Sequence, residues 1–401
     1  MARALALASG LGGLYSTWIV TVNHSHEDLE VYLRGARNLF NGRLYAASLP
    51  GAPHLPFTYP PFAALFFTPL TFLSVHAAYF VWAAVNVGLL AGLINLSVRL
   101  LRPSLSTRAR WVVSLLALTP FFWFEPIRAN FYFGQINLLL AILVVVDLMT
   151  TVRVRGRALP RGVLVGVAAA LKLIPLVFVA YLVVTRQARA AATAVVSFIA
   201  CGVLAALCNP GVSWTYWTTY AFDARRVGGV TYVSNQSLRA ALDRFSHHLV
   251  FVPLVDAAAV ATLFVGAVLT AWAWRRSSTF LALLVTAATG LLVSPITWTH
   301  HLVWLVPALL WLVLGDDRPR FGWLFALGAS AVFWDGLVWY PQHGAHNFNS
   351  SLEMKEHGLV ELWANSYFLL VVLFLLSVAV MIGLRGRSSP KAGWADDKVH
   401  P

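Results

Sequence analysis

The sequence predicts an all-α polytopic membrane protein with about ten full transmembrane helices. Of its 401 residues, 59% are hydrophobic and only 11% are charged, whereas a soluble domain carries about 25% charged residues. Apolar runs near the ~20 residues that cross a bilayer recur along the whole chain. Most of the 29 Lys and Arg residues lie between alternate runs, which is the positive-inside pattern of membrane proteins.

The net charge of +13 would by itself also suit a protein that binds nucleic acid. The basic residues are however concentrated in short segments between apolar runs, such as Arg99–Arg110 and Arg153–Arg161. Segments on the other side hold similar numbers of basic and acidic residues. We therefore predict a multi-pass plasma-membrane protein surrounded by lipid, with cytoplasmic termini and without a nucleic-acid partner.

The first four spans follow from long apolar runs, and the polar segment 23–60 becomes the first external loop. A shorter apolar piece begins at Pro60 and Pro61. It is too short to cross, so we predict a re-entrant or interfacial helix near 57–73. The predicted spans of this half are Ala4–Val22, Val75–Val98, Trp111–Phe124 and Phe131–Met149.

The segment 162–184 is flanked on both sides by arginines, which favour the cytoplasm. A single crossing would put one of these flanks outside, so the segment should begin and end on the cytoplasmic side. Lys172 and Pro175 place a charge and a helix breaker in its middle. We predict two half-helices that dip towards the external side and return. Irregular backbone at that depth must line a cavity, which makes Lys172 a candidate for the pocket.

The remaining spans enclose two more external loops, 209–248 and 340–361. Residues 1–384 form one domain in this interpretation, and the polar tail 385–401 is predicted to be disordered. The predicted spans of this half are Ala190–Leu207, Leu249–Trp274, Thr279–Val293, Leu302–Leu314, Phe321–Trp339 and Leu362–Leu384.

Asp28 is the strongest candidate for a catalytic group. The segment 26–41 has helical periodicity, with Leu29, Tyr32 and Leu33 on one apolar stripe and Glu27 on the opposite face. At 100° per residue Asp28 lies at the edge of that stripe, directed towards the cavity. A carboxylate there suits a general base acting on a hydroxyl. The alternative is an N-terminal helix cap.

The other candidates lie on the predicted external side or dip from it. His300 and His301 end a span and could donate to a phosphate oxygen, whereas adjacent histidines suit a metal ion poorly. We therefore predict neither a metal nor another cofactor. Asn235 and Gln236 offer amides to sugar hydroxyls, or belong to a polar loop near lipid headgroups. Further substrate-binding candidates in the external segments are Tyr59, Arg128, Gln135 and Trp298.

Seven short motifs in this order resemble glycosyltransferase family 87 over roughly residues 1–320. They are Asp28-Leu-Glu-Val-Tyr32, Asn41-Gly-Arg-Leu-Tyr45, Phe57-Thr-Tyr-Pro-Pro61, Phe133-Gly-Gln-Ile-Asn137, Ala170-Leu-Lys-Leu-Ile-Pro175, Asn235-Gln-Ser237 and Ser294-Pro-Ile-Thr-Trp-Thr-His-His301.

The resemblance implies a GT-C fold enzyme that uses a polyprenyl-phosphate sugar outside the cytoplasm. The most similar members are actinobacterial α-(1→2)-mannosyltransferases that take mannose from polyprenyl-phosphate-mannose. The implied acceptor is a hydroxyl of a glycolipid of phosphatidylinositol mannoside or lipomannan type. By this resemblance Asp28 is the base, and Lys172 with His300 or His301 holds the leaving phosphate during an inverting direct displacement.

Two other functions are consistent with the same residues. An enzyme of the same fold could use a different polyprenyl-phosphate sugar, such as arabinofuranose. A lipid or sugar transporter also has charges at membrane depth and broken helices. The sequence contains no convincing internal repeat of the kind common in transporters, and its polar residues concentrate on one side of the membrane.

Overall fold

The structure is a computed structural model that describes residues 2–23, 26–49, 54–223, 226–247, 249, 251–340 and 358–385. Its regular structure is almost entirely helical, which confirms the all-α prediction. The exception within these ranges is an antiparallel hairpin formed by β1 (Arg153–Val154) and β2 (Arg157–Ala158), in a loop predicted to be cytoplasmic.

The helices of the first half include four of fewer than ten residues. One is followed by a 3-10 turn at Thr68–Phe72, and another is preceded by a 3-10 turn at Ile174–Leu176. Their bounds are α1 (Ala2–Asn23), α2 (Glu27–Asn38), α3 (Pro61–Phe67), α4 (Val75–Leu101), α5 (Thr107–Trp123), α6 (Glu125–Tyr132), α7 (Asn137–Met149), α8 (Val163–Leu171) and α9 (Val177–Val184).

The helices of the second half alternate with 3-10 turns at Thr299–Trp304 and Leu337–Trp339 and a π-helical turn at Tyr216–Tyr220. Their bounds are α10 (Ala188–Cys208), α11 (Pro210–Thr215), α12 (Leu238–Phe245), α13 (Val252–Arg276), α14 (Thr279–Val293), α15 (Leu305–Leu314), α16 (Gly322–Asp335), α17 (Leu359–Ala364) and α18 (Ser366–Arg385).

The multi-pass character is confirmed by the lengths of the helices. Within the described ranges α1, α4, α10, α13 and α18 are long and apolar enough to cross a membrane. Helices α5 and α6 would form a sixth span, bent by 79°. The other predicted crossings coincide with shorter apolar helices, so their total of ten and the cytoplasmic termini stay predictions. Most of the predicted loop 340–361 and almost all of the tail 385–401 lie outside the described residues.

One predicted span boundary is wrong. The predicted spans Trp111–Phe124 and Phe131–Met149 imply that the segment between them, from Glu125 to Asn130, is an external loop. It is instead the buried helix α6, and the next helix begins only at Asn137. The separation occurs at Gly134, whose φ of +67° is left-handed and ends the preceding helix.

The predicted break in segment 162–184 is confirmed. Helix α8 ends at Leu171, Lys172 is extended, and a 3-10 turn follows. Two contacts hold α8 in place: the Asp147 carboxylate accepts from the backbone N–H groups of Gly162 and Val165, at 3.0 and 2.9 Å. Gly166 lets α8 approach α10 closely, because a Cβ there would lie 2.3 Å from the carbonyl oxygen of Ala194. These contacts determine where Lys172 lies.

Helix α2 is held equally closely against the turn between α6 and α7. The Leu29 N–H donates to the Phe133 carbonyl at 3.1 Å. A Cβ on Gly134 would lie 2.6 Å from the Cβ of Leu29. At the other end of α2, a Cβ on Gly35 would lie 2.3 Å from the ring of Phe57. The two glycines thus bring α2 against the segments that contain Gln135 and Tyr59.

Candidate active site

Asp28 lies in the first turn of α2, at the edge of its buried face. Leu29, Tyr32 and Leu33 are all buried, so the predicted apolar stripe is confirmed. Asp28 is only partly exposed, and its Oδ2 accepts a hydrogen bond from Gln135 Nε2 at 2.8 Å. The helix N-cap is His26. The alternative interpretation of Asp28 as the cap is therefore wrong.

The Asp28 carboxyl group has an unusual proton affinity. Burial is the main reason that its pKa is raised to about 6; the Gln135 hydrogen bond and Lys172 oppose the rise, and the neighbouring Glu27 adds a smaller increase. A general base works best when its pKa is near the operating pH. Asp28 is therefore ionised at neutral pH and still basic enough to accept a proton from a hydroxyl.

Gln135 joins Asp28 to the other side of the site. Its side chain is almost fully buried. While Nε2 donates to Asp28, Oε1 accepts from Tyr32 at 3.1 Å and from Lys172 at 3.3 Å. A carboxylate and an ammonium group are thus held on opposite atoms of one amide.

Lys172 brings a buried positive charge to the break after α8. Its Nζ donates to Asn137 Oδ1 at 3.0 Å and lies 2.9 Å from His301 Nε2 and 5.4 Å from the centre of the Tyr59 ring. An ammonium group can only donate, so Nε2 of His301 accepts and its Nδ1 carries the hydrogen. Since Tyr59 also packs on Tyr32 at 4.8 Å, the aromatic ring closes the site between Asp28 and Lys172.

The two adjacent histidines differ in their contacts. His300 is buried, and neither of its ring nitrogens has a hydrogen-bond partner among the described residues. His301 Nδ1 is also without one. Buried polar atoms are nearly always paired in folded proteins. Three unpaired ring nitrogens in one turn therefore indicate a site for a polar ligand.

A pocket lies beside Lys172 and His301, which both line it. Asn137 completes its polar end, and the remaining lining is almost entirely apolar, including Phe178 and Trp304. A pocket with a cationic end and an apolar body suits a molecule with an anionic head and a hydrocarbon chain.

Asn235 and Gln236 do not join this cluster. Both are buried, and their amides bind backbone groups. Asn235 Oδ1 accepts from the Thr297 N–H at 2.8 Å, and Gln236 Oε1 accepts from the Phe368 N–H at 3.0 Å. Their contacts hold the loop before His300 against α18, which argues against the direct substrate contact predicted for them.

Arg128 and Trp298 lie at the margins of the site. The Arg128 guanidinium stacks over the ring of Trp123 at 5.8 Å. Trp298 pairs through its backbone with Asn235 and packs edge-on against Tyr232 at 6.1 Å. Neither has a described hydrogen bond to Asp28, Gln135 or Lys172.

Sequence reasoning missed Tyr32 and Glu125. Tyr32 was assigned only to the apolar stripe of the helix, although its hydroxyl donates to Gln135. Glu125 was placed in an external loop, but it is buried and accepts from Thr299 Oγ1 at 2.9 Å, immediately before His300. The sequence signal that could have identified Glu125 is a carboxylate between two apolar runs, because ionisable residues near membrane depth often have a function.

The described residues contain no group of three His, Cys, Asp or Glu side chains that could hold a metal ion. The independence of metals and other cofactors stays a prediction.

Comparison with known proteins finds one family and several curated relatives. Residues 57–295 match glycosyltransferase family 87. The chain is 36% identical over 368 residues to the polyprenol-phosphate-mannose-dependent alpha-(1-2)-phosphatidylinositol pentamannoside mannosyltransferase of Mycobacterium tuberculosis (strain CDC 1551 / Oshkosh), covering 84% of this chain and 82% of the relative.

A second relative extends the similarity to nearly the whole chain. The polyprenol-phosphate-mannose-dependent alpha-(1-2)-phosphatidylinositol mannoside mannosyltransferase of Mycolicibacterium smegmatis is 32% identical over 417 residues, which cover 93% of this chain and 87% of the relative. No solved structure shows a significant match.

Proposed function

Because the chain belongs to glycosyltransferase family 87, we propose that it transfers mannose from polyprenyl-phosphate-mannose to a hydroxyl of a phosphatidylinositol mannoside. The printed names of the curated relatives support this donor and this acceptor. They also favour mannose over arabinofuranose, and enzymatic transfer over transport. The bond formed would be an α-(1→2) linkage, as in the names of these relatives.

Asp28 is the general base of this proposal. It removes the proton from the acceptor hydroxyl as that oxygen attacks the anomeric carbon of the donor mannose. The bond from that carbon to the phosphate oxygen breaks in the same step, and the configuration inverts. A single base is sufficient for such a displacement, whereas a retaining reaction through a covalent intermediate needs a nucleophile as well.

Lys172 and His301 stabilise the departing polyprenyl phosphate. The ammonium group of Lys172 supplies positive charge, and the Nδ1–H of His301 is a buried donor without a described partner. Donors already oriented in a buried site stabilise developing negative charge without reorganisation. The cavity next to them, with its apolar body, accommodates the first part of the polyprenyl chain.

One observation carries the proposal: Gln135 binds the base through Nε2 and the phosphate-binding Lys172 through Oε1. A displacement needs the base and the leaving-group cation at a defined separation, with the sugar between them. The predicted positive-inside arrangement places this site on the external face of the plasma membrane.

The test is transfer by the purified protein with polyprenyl-phosphate-mannose and a phosphatidylinositol mannoside acceptor. Asp28→Asn keeps the shape and removes the base, so we expect kcat to fall by about 10²–10⁴-fold. Binding of the donor lipid should remain. The matched control is Glu27→Gln, which neutralises the adjacent carboxylate and should keep most of the activity. Full activity of Asp28→Asn would contradict the role of the base.

The pH dependence gives a second readout for the same residue. The pKa of Asp28 is raised to about 6, so the carboxylate becomes protonated as the pH falls through that value. Below it, kcat of the unmodified protein should fall about tenfold for each pH unit. A rate that stays constant down to pH 5 would contradict the assignment.

A further inference from the structure

Glu125 is a buried carboxylate that the proposed reaction does not use. It lies at the start of α6, and three side chains from distant parts of the chain donate to it. Thr299 Oγ1 and Trp339 Nε1 reach Oε1 at 2.9 and 3.0 Å, and the Tyr367 hydroxyl reaches Oε2 at 3.0 Å. Gly336 approaches so closely that a Cβ there would lie 3.0 Å from the Cγ of Glu125.

The carboxylate has no cationic partner within ion-pair distance among the described residues. Arg128, one turn later on α6, interacts electrostatically with the carboxylate, but its guanidinium lies over Trp123 and forms no ion pair with it. A buried charge without a direct ion pair is unfavourable unless its hydrogen bonds are well made. An uncharged acceptor could bind the same three donors with a smaller desolvation penalty than a carboxylate. The carboxylate therefore needs a further explanation.

The explanation lies in one of its donors. Thr299 immediately precedes His300 and His301, and these residues form a 3-10 turn rather than an α-helix. A 3-10 turn has poorer hydrogen-bond geometry than an α-helix, so side-chain contacts contribute more to its position. Asn137 Nδ2 holds it by donating to the His300 carbonyl at 3.0 Å. Glu125 holds it at the preceding residue, and a charge-assisted hydrogen bond is stronger than a neutral one.

We propose that Glu125 is a positioning residue which, through Thr299, holds the His300–His301 turn where His301 meets Lys172. The inference rests on the proposed function, because it concerns the phosphate-binding side of that site. Displacement of the turn would move the His301 ring relative to Lys172 and weaken binding of the polyprenyl phosphate. A displacement of about 1 Å caused by a change away from the reacting atoms can lower function about 10²-fold.

The experiment compares two variants that each remove one donor from the same carboxylate oxygen. Thr299→Val removes the hydroxyl at nearly constant volume, and Trp339→Phe removes the indole N–H. Only Thr299 belongs to the turn. The ligand is polyprenyl phosphate without sugar, whose dissociation constant can be measured without any transfer reaction. We expect Thr299→Val to raise that constant about tenfold and Trp339→Phe to leave it nearly unchanged.

Thr299→Ser restores the hydroxyl and should restore binding. Thermal unfolding of Thr299→Val and Trp339→Phe measures the stability that each variant loses. The two losses should be comparable, because each variant removes one donor to the same oxygen. Equal effects of Thr299→Val and Trp339→Phe on binding would overturn the proposal, because a purely structural carboxylate would respond to both alike. Unchanged binding in Thr299→Val would also overturn it.

The proposed function and this inference can fail separately. If the unmodified protein binds polyprenyl phosphate but transfers no mannose to the acceptor, the proposed function is wrong and the comparison of variants still stands. If it transfers mannose and Thr299→Val binds the lipid normally, the role of Glu125 is wrong and the function stands.

Discussion

Two clusters of buried polar side chains in this protein differ in how many of their polar atoms have hydrogen-bond partners. The Asp28 cluster consists of Asp28, Gln135, Lys172, His300 and His301. Its carboxylate is partly exposed, and three histidine nitrogens have no described partner. The Asn235 cluster consists of Asn235 and Gln236, whose amide groups all bind backbone atoms.

This difference indicates which polar groups can bind a ligand and which ones hold the fold together. An amide whose donors and acceptors are already paired cannot take a substrate hydroxyl without losing a bond it has. A buried ring nitrogen without a partner gains a bond when a ligand arrives. The Asp28 cluster is therefore expected to respond to mutation in activity, and the Asn235 cluster in stability.

The largest effect is expected at Gln135, which links both halves of the Asp28 cluster. Gln135→Leu removes the bonds to Asp28 and to Lys172, so kcat/KM should fall about 10³-fold, because both reacting groups lose their orientation. Steady-state transfer assays on protein of unchanged melting temperature test this. Retention of more than a tenth of the activity would show that Gln135 does not orient the two groups.

Gln135→Glu sharpens the same experiment. It keeps an acceptor for Lys172 but replaces the donor to Asp28 by a second carboxylate. Like charges raise each other's pKa, so the pH at which activity is half-maximal should move above the pH of about 6 expected for the unmodified protein. An unchanged pH profile would be inconsistent with contact between residue 135 and the base.

An intermediate effect is expected at the histidine pair. His301→Ala removes a donor to the leaving phosphate and the partner of Lys172, and should raise the donor KM about 10–100-fold. His300→Ala should also raise it, because neither ring nitrogen has a partner among the described residues. The exposed His76, changed to alanine, serves as the control. Unchanged donor KM in both variants would remove the pair from the phosphate site.

The smallest effect on activity is expected in the Asn235 cluster. Asn235→Ala leaves buried backbone groups of the neighbouring loop without partners and should lower the free energy of unfolding by about 1–3 kcal/mol. The KM for donor and acceptor should change little at a temperature where the variant is folded. A raised acceptor KM without loss of stability would instead support the substrate contact first predicted for Asn235.

Much of the helical framework could be predicted from apolar runs alone. A helix occupies the predicted segment 279–293 to the residue, and several other helices match predicted segments within a few residues. The error at Glu125–Asn130 has a physical cause. Three polar residues in a short stretch predict a loop, yet α6 is largely buried because other segments form hydrogen bonds with Glu125 and Asn130.

Only part of the candidate site could be predicted, because some of its contacts join residues that are distant in the chain. Asp28 could be selected because helical phase is a local property of some ten consecutive residues. The roles of Gln135 and Asn235 could not be distinguished, because the sequence shows two similar amides near span ends. Their partners are distant in the chain: Gln135 contacts Asp28 and Lys172, while Asn235 contacts Thr297.

The sequence by itself determined the membrane class, most helices, the break at Lys172, and Asp28 as the best candidate for the base. These features depend on hydrophobicity, helical period and proline, all of which act between near neighbours. Only the tertiary structure shows that Gln135 joins Asp28 to Lys172, that the amides of Asn235 and Gln236 bind backbone groups, and that Glu125 accepts a hydrogen bond from Thr299. Hydrogen bonds between distant segments make these assignments, and their partners become known only when the helices are packed.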